Sequence, residues 1–119
     1  MTYAQYQEHF EQMAAQEKER LSALAVAELI ALIRSGRLGT HYQIWYSLAE
    51  RAKPAEVNDM LMSFLYSDEE YLHRYHCAAA LIAVNSLSSA GWEPHHLSAG
   101  PKYPVKENLE KIRGLLKNV

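Results

Sequence analysis

The segment from Ser67 to Val84 reads Ser-Asp-Glu-Glu-Tyr-Leu-His-Arg-Tyr-His-Cys-Ala-Ala-Ala-Leu-Ile-Ala-Val. Ser67 followed by Glu70 has the spacing of a capping box, in which each side chain satisfies a backbone N–H of the first helical turn. The helix it opens is apolar on almost every side, so it has no face suited to water. A small protein keeps such a helix at its centre, and this one takes His73, His76 and Cys77 there.

The other elements follow from period and punctuation. Thr2 caps a first helix that runs to about Arg20, with Tyr3, Tyr6, Phe10, Met13 and Ala14 on one side and Glu8, Glu11, Gln12 and Glu19 on the other. The apolar side is expected to face a core. Ser22 caps a second helix, Ala23 to Arg34, stopped by Ser35-Gly36; one bent helix over 3–34 is the alternative. Thr40 with Gln43 repeats the capping-box spacing and starts a third, His41 to Ala52, with Tyr42, Trp45, Leu48 and Ala49 aligned. Pro54 suits a first turn and begins a fourth, to Tyr66, burying Val57, Met60, Leu61, Phe64 and Leu65. Asn85 to Pro104, rich in Ser, Gly and Pro, reads as a long loop with a short turn at Glu93-Pro94-His95-His96. A last helix, Val105 to Asn118, points Leu109, Ile112, Leu115 and Leu116 inward. No segment reads as a strand.

Shifting the chain by 33 positions sets Leu32 on Leu65, Tyr42 on Tyr75 and Leu48 on Leu81. Each half of the match is a helix, a turn and a second helix, which is the mark of helical repeats. Asp68, Leu72, Arg74, Cys77, Ala80 and Leu81 follow the order of the second helix in a HEAT repeat, and residues 54–84 resemble one such unit. The Asp-to-Arg gap is longer than the family's. The earlier unit departs further, with His41 in the Arg position and Ile44 and Ser47 in place of small residues. The resemblance spans residues 22–84. It implies a compact HEAT-like bundle of about six helices in antiparallel pairs, all-α, with Asp68 and Arg74 tying neighbouring units. It also implies that Cys77 and the alanines let helices approach closely.

At 119 residues the chain is expected to form a single α-helical domain over 1–119, large enough for a core without staples. One cysteine excludes an internal disulfide and fits a reducing cytoplasm, and a soluble bacterial or otherwise cytoplasmic protein is expected. A net charge of −2 gives no field to gather phosphates, so nucleic acid is not an expected partner. The longest nearly apolar run, Leu21 to Ile33, is broken by Ser22 and Glu28 and is too short for a bilayer.

The residue types raise several chemistries. His73 can meet His76 or Cys77 on one helix face, which is metal-ligand chemistry. A catalytic zinc would need a third ligand from His41, His95 or His96. Glu70 with His73, and Glu93 with His96, match the Glu-x-x-His element of di-iron bundles, but the second lies beside Pro94 in the loop and the chain is short for that fold. No nucleophile elbow and no phosphate loop appears. Gly36-Arg37-Leu38-Gly39 is a turn, or with Arg34 an anion-binding nest. The expectation is therefore no enzyme, no cofactor and no metal. The expected role is a protein-binding module, of the kind an immunity or antitoxin-like protein supplies by binding and neutralising a toxin. Trp92, Glu93, His95 and His96 are the expected partner-binding residues, an aromatic beside ionisable groups in a long loop. The alternatives are a metal- or His-dependent enzyme using His73 and His76, and a homo-oligomeric structural protein using exposed stripes on the first helix.

Overall fold

The computed structural model describes residues 2–67, 69–98 and 104–116. These form seven α-helices and one 3-10 turn, and no strand occurs among the described residues. The protein is all-α. None of the helices is long and apolar enough to cross a membrane. The chain is organised as two compact units, Met1–Arg51 and Ala52–Val119.

The first unit holds α1 (Tyr3–Ser22), α2 (Val26–Arg34) and α3 (Gln43–Arg51). Thr2 and Gln5 close a reciprocal cap on α1. The chain breaks between α1 and α2. Ser22 does not cap α2, because its hydroxyl donates back to Glu19 O at 2.6 Å. Glu28 instead reaches back to the Ala25 N–H at 3.2 Å. α3 starts two residues later than the Thr40 signal suggests. Thr40 Oγ1 is 2.8 Å from His41 Nδ1, and Tyr42 is held at φ +62°, outside the helical region. Arg51 closes the unit by donating to Leu21 O and Leu24 O at the exposed end of α1. Leu29, Ile44, Trp45 and Leu48 are fully or almost fully buried.

The second unit holds α4 (Pro54–Tyr66), α5 (Tyr71–Val84), a 3-10 turn (Leu87–Ala90), α6 (Pro94–Ser98) and α7 (Val105–Leu116). α4 begins at Pro54, with the Glu56 carboxylate accepting the Lys53 N–H. α5 starts at Tyr71 rather than at Ser67. Ser67 ends the preceding helix: its hydroxyl donates to Phe64 O at 2.5 Å and accepts the Glu69 N–H at 3.4 Å, short of the first turn of α5. Asp68 and Asn118 lie outside the described residues. α5 buries His73, Cys77, Ala78, Ala80, Leu81 and Ile82, but Tyr71 and Leu72 at its first turn are exposed. It packs on α4 and α6, and α6 packs on α7. The segment read as loop therefore carries a helical turn and a short helix. On α7, Leu109 and Ile112 are buried whereas Leu115, expected to face inward, is exposed.

Candidate functional site

Trp92, Glu93, His95 and His96 converge around the start of α6. Gly91 turns the chain there in the left-handed region at φ +88°, and the Trp92 N–H donates to Leu87 O. Pro94 then opens the helix. Two local bonds close the turn: His96 N–H donates to Glu93 O at 3.0 Å, and Glu93 N–H donates to His96 Nδ1 at 3.1 Å. An acceptor at Nδ1 places the neutral ring's proton on Nε2. The Glu93 carboxylate lies 3.3 Å from His95 Nε2. The two imidazoles stand 4.5 Å apart, and Trp92 meets His96 edge-on at 5.9 Å.

This turn is anchored from beneath. Leu97 is fully buried, Ser98 donates to Pro94 O at 2.8 Å, and Asn108 on α7 donates to His96 O at 2.9 Å. Trp92 itself is half-buried, so its ring is shared between plugging the unit and facing solvent. Glu93, His95 and His96 bring one ligand-type atom each within 4.8 Å of one another, the one such trio among the described residues.

His73, His76 and Cys77 behave differently. Cys77 is fully buried, its Sγ donating to Leu61 O on α4 at 3.4 Å. Burial pushes the thiol well up from its ordinary value, so the thiolate that a metal or nucleophilic role requires is suppressed. Burial also lowers the proton affinity of His76, and the neighbouring His73 lowers it further. Arg74 donates from Nε to Glu69 O, a bond at its own helix start.

A second constellation was not legible in the sequence. Glu17 is buried on α1 and accepts the His41 N–H at 2.8 Å, with His41 Nδ1 at 3.1 Å. Thr40 Oγ1 meets that same Nδ1, so hydroxyl and carboxylate share one ring nitrogen. A nucleophile relay needs them on opposite nitrogens. Gly39 sits at φ +75° against this carboxylate, where a Cβ would collide with Glu17 Oε1. The turn after α2 thus packs on Glu17 without binding it: Glu17 Oε2 takes its hydrogen bonds from His41, and the buried Oε1 that faces Gly39 has no hydrogen-bond partner.

The surface that sequence reasoning misassigned is on α1. Tyr3, Tyr6, Phe10 and Met13 were expected to face a core, yet they are 80, 60, 41 and 36 % exposed. Every described residue from Thr2 to Met13 is exposed. The period correctly marks one face, but a period does not say whether the chain itself covers that face.

Fold and surfaces define an all-α protein of helical hairpins that carries an exposed aromatic helix face and a histidine-bearing turn. No protein family, curated protein or solved structure matches this chain.

Proposed function

We propose that this chain is a non-catalytic protein-binding module, docking a partner through the first three turns of α1. The observation that carries this reading is the row Tyr3, Tyr6, Phe10 and Met13, exposed together on one face. Tyrosine and phenylalanine supply large contact area at low entropic cost and are enriched where binding energy concentrates. A helix with anchors at i, i+3 and i+7 is the geometry that fits an apolar groove on a partner. Glu8 and Glu11 are the acidic residues along this stretch, and no Lys or Arg precedes Lys18. The complementary partner is therefore a protein with an apolar groove and a basic rim.

Within that class, an immunity or antitoxin-like role fits the small size, mild acidity and absence of catalytic motifs. The partner would then be a toxin domain, and Trp92, Glu93, His95 and His96 a second contact patch. Pairing of α2 with α3 and of α4 with α5 supports a HEAT-like scaffold for these surfaces. The same aromatic face also favours a second reading, association with another copy of the chain.

The double substitution Tyr3→Glu, Tyr6→Glu tests this on the two most exposed positions of that face and leaves the Phe10 ring on His41 in place. Wild-type chain should capture one defined partner from lysate of the organism that encodes it. The variant should lose that partner, with its far-UV circular dichroism unchanged. Light scattering on the purified chain decides the second reading, since a dimer dissolved by the same variant makes a second copy the occupant. Capture that survives the double variant removes α1 as the docking face.

A further inference from the structure

Glu93, His95 and His96 come from a single turn of one short segment, and their donors share a common volume. One carboxylate oxygen and a ring nitrogen from each histidine lie within 4.8 Å of one another. In a tetrahedral site with metal–ligand bonds of about 2.0–2.1 Å, the ligand atoms stand about 3.4 Å apart. Glu93 Oε2 and His95 Nε2 are already 3.3 Å apart. We propose that Glu93, His95 and His96 form a binding site for a zinc-class divalent cation, with the solvent side of the coordination sphere open.

The donor set selects the ion. Two imidazoles and one carboxylate suit zinc, nickel or copper, whereas magnesium and calcium favour all-oxygen shells. The carboxylate contributes a negative charge that offsets the cation's, as a site with two neutral imidazoles alone would not. The segment's backbone is also held independently of any ion. Asn108 fixes the His96 carbonyl, Ser98 fixes the Pro94 carbonyl, and Pro94 restricts the link between Glu93 and His95. Loading exchanges existing contacts: zinc at His96 Nδ1 replaces the Glu93 N–H, zinc at His96 Nε2 moves that ring's proton to Nδ1 and gives up the same bond, and zinc at Glu93 Oε2 and His95 Nε2 replaces their direct pairing, with the His95 ring proton on Nδ1. The open side distinguishes this site from a closed structural one, and water or a partner's side chain would complete the sphere.

The site reports on itself. Trp92 meets His96 edge-on, so a cation there changes the Trp92 emission. Trp45 is fully buried in the other unit and gives a steady background. This inference stands apart from the α1 docking reading, and neither fails with the other.

The test uses the tag-free full chain, stripped with chelator and titrated with zinc in a calorimeter. One equivalent per chain is expected. Zinc should also raise the melting temperature by roughly 10 °C at about a hundredfold excess over the dissociation constant, an effect reversed by chelator. Magnesium at equal concentration should leave the melting temperature unchanged. His96→Asn disturbs the bond that shapes the turn, so His95→Gln and Glu93→Gln are the deciding variants. Each should weaken zinc binding at least about tenfold with unchanged circular dichroism. The site is refuted by sub-stoichiometric zinc binding to wild type. It is equally refuted by unchanged affinity in both variants, which would move the metal to other histidines such as His73 and His76.

Discussion

His76 is half-buried on α5 beside Tyr75, whose ring meets it edge-on at 5.4 Å. Burial lowers its proton affinity first, and the neighbouring His73 adds to the effect. In the unfolded chain the same side chain titrates near its ordinary value of about 6.5. Well above that pH the ring is neutral in both states and contributes no pH dependence. As pH falls through about 6.5, the unfolded chain takes up a proton that the folded chain resists, so stability drops until the lower folded pKa is reached. Thermal melts at pH 7.5 and 5.0 should therefore show a loss of stability that His76→Gln reduces. An identical loss in wild type and variant would mean that His76 does not drive it. Cys77, one residue on, is a packing group by the same physics. Its burial favours the neutral thiol, and α4 supplies the carbonyl that accepts its weak hydrogen bond.

Elements show where local sequence signals win and where they lose. Pro54 marks the start of α4 correctly, because it acts on the helix it belongs to. The Thr40 and Ser67 signals are displaced because each hydroxyl finds a nearer partner, the His41 ring in one case and the Phe64 carbonyl in the other. Long-range partners leave no local signal at all. Nothing around Glu17 announces that it reaches 24 residues onward to the His41 N–H. That bond ties α1 to the loop before α3, and its removal leaves a part-buried donor unsatisfied. Glu17→Ala is expected to cost about 1–3 kcal/mol by denaturant unfolding. Glu17→Gln keeps an oxygen for the same N–H and should cost clearly less. Equal costs for the two variants would show that Glu17 acts through packing rather than through the bond. The α6 turn was half-legible for a related reason. The residue types Trp92, Glu93, His95 and His96 stood out in sequence, but their convergence depends on Gly91, Leu97 and Asn108 acting together.

For the whole molecule, the all-α class was readable because helical periods and caps recur along the chain, whereas its division into two units was not. Each unit holds one of the hairpins that the 33-residue shift brings into register, and each has buried apolar side chains of its own. In Ala52–Val119, Val57, Leu61, Leu81, Leu97, Leu109 and Ile112 are buried to nearly zero exposure, and four α-helices contribute them. In Met1–Arg51 the buried set is drawn from three helices, and the longest of these leaves its first three turns exposed. An isolated segment of about 50 residues is marginal because it buries a smaller fraction of its surface than a larger domain does. An exposed helix end of about 12 residues gains little from propensity alone. The fragment 52–119 should therefore fold by itself, with strong helical circular dichroism and a cooperative melt. The fragment 1–51 should be much less helical and melt over a broad range. Each fragment retains one tryptophan, Trp45 in the first and Trp92 in the second, so emission follows each separately. A broad, non-cooperative melt of 52–119 would mean that its buried residues do not suffice as an independent core, and the expectation would fail at that point.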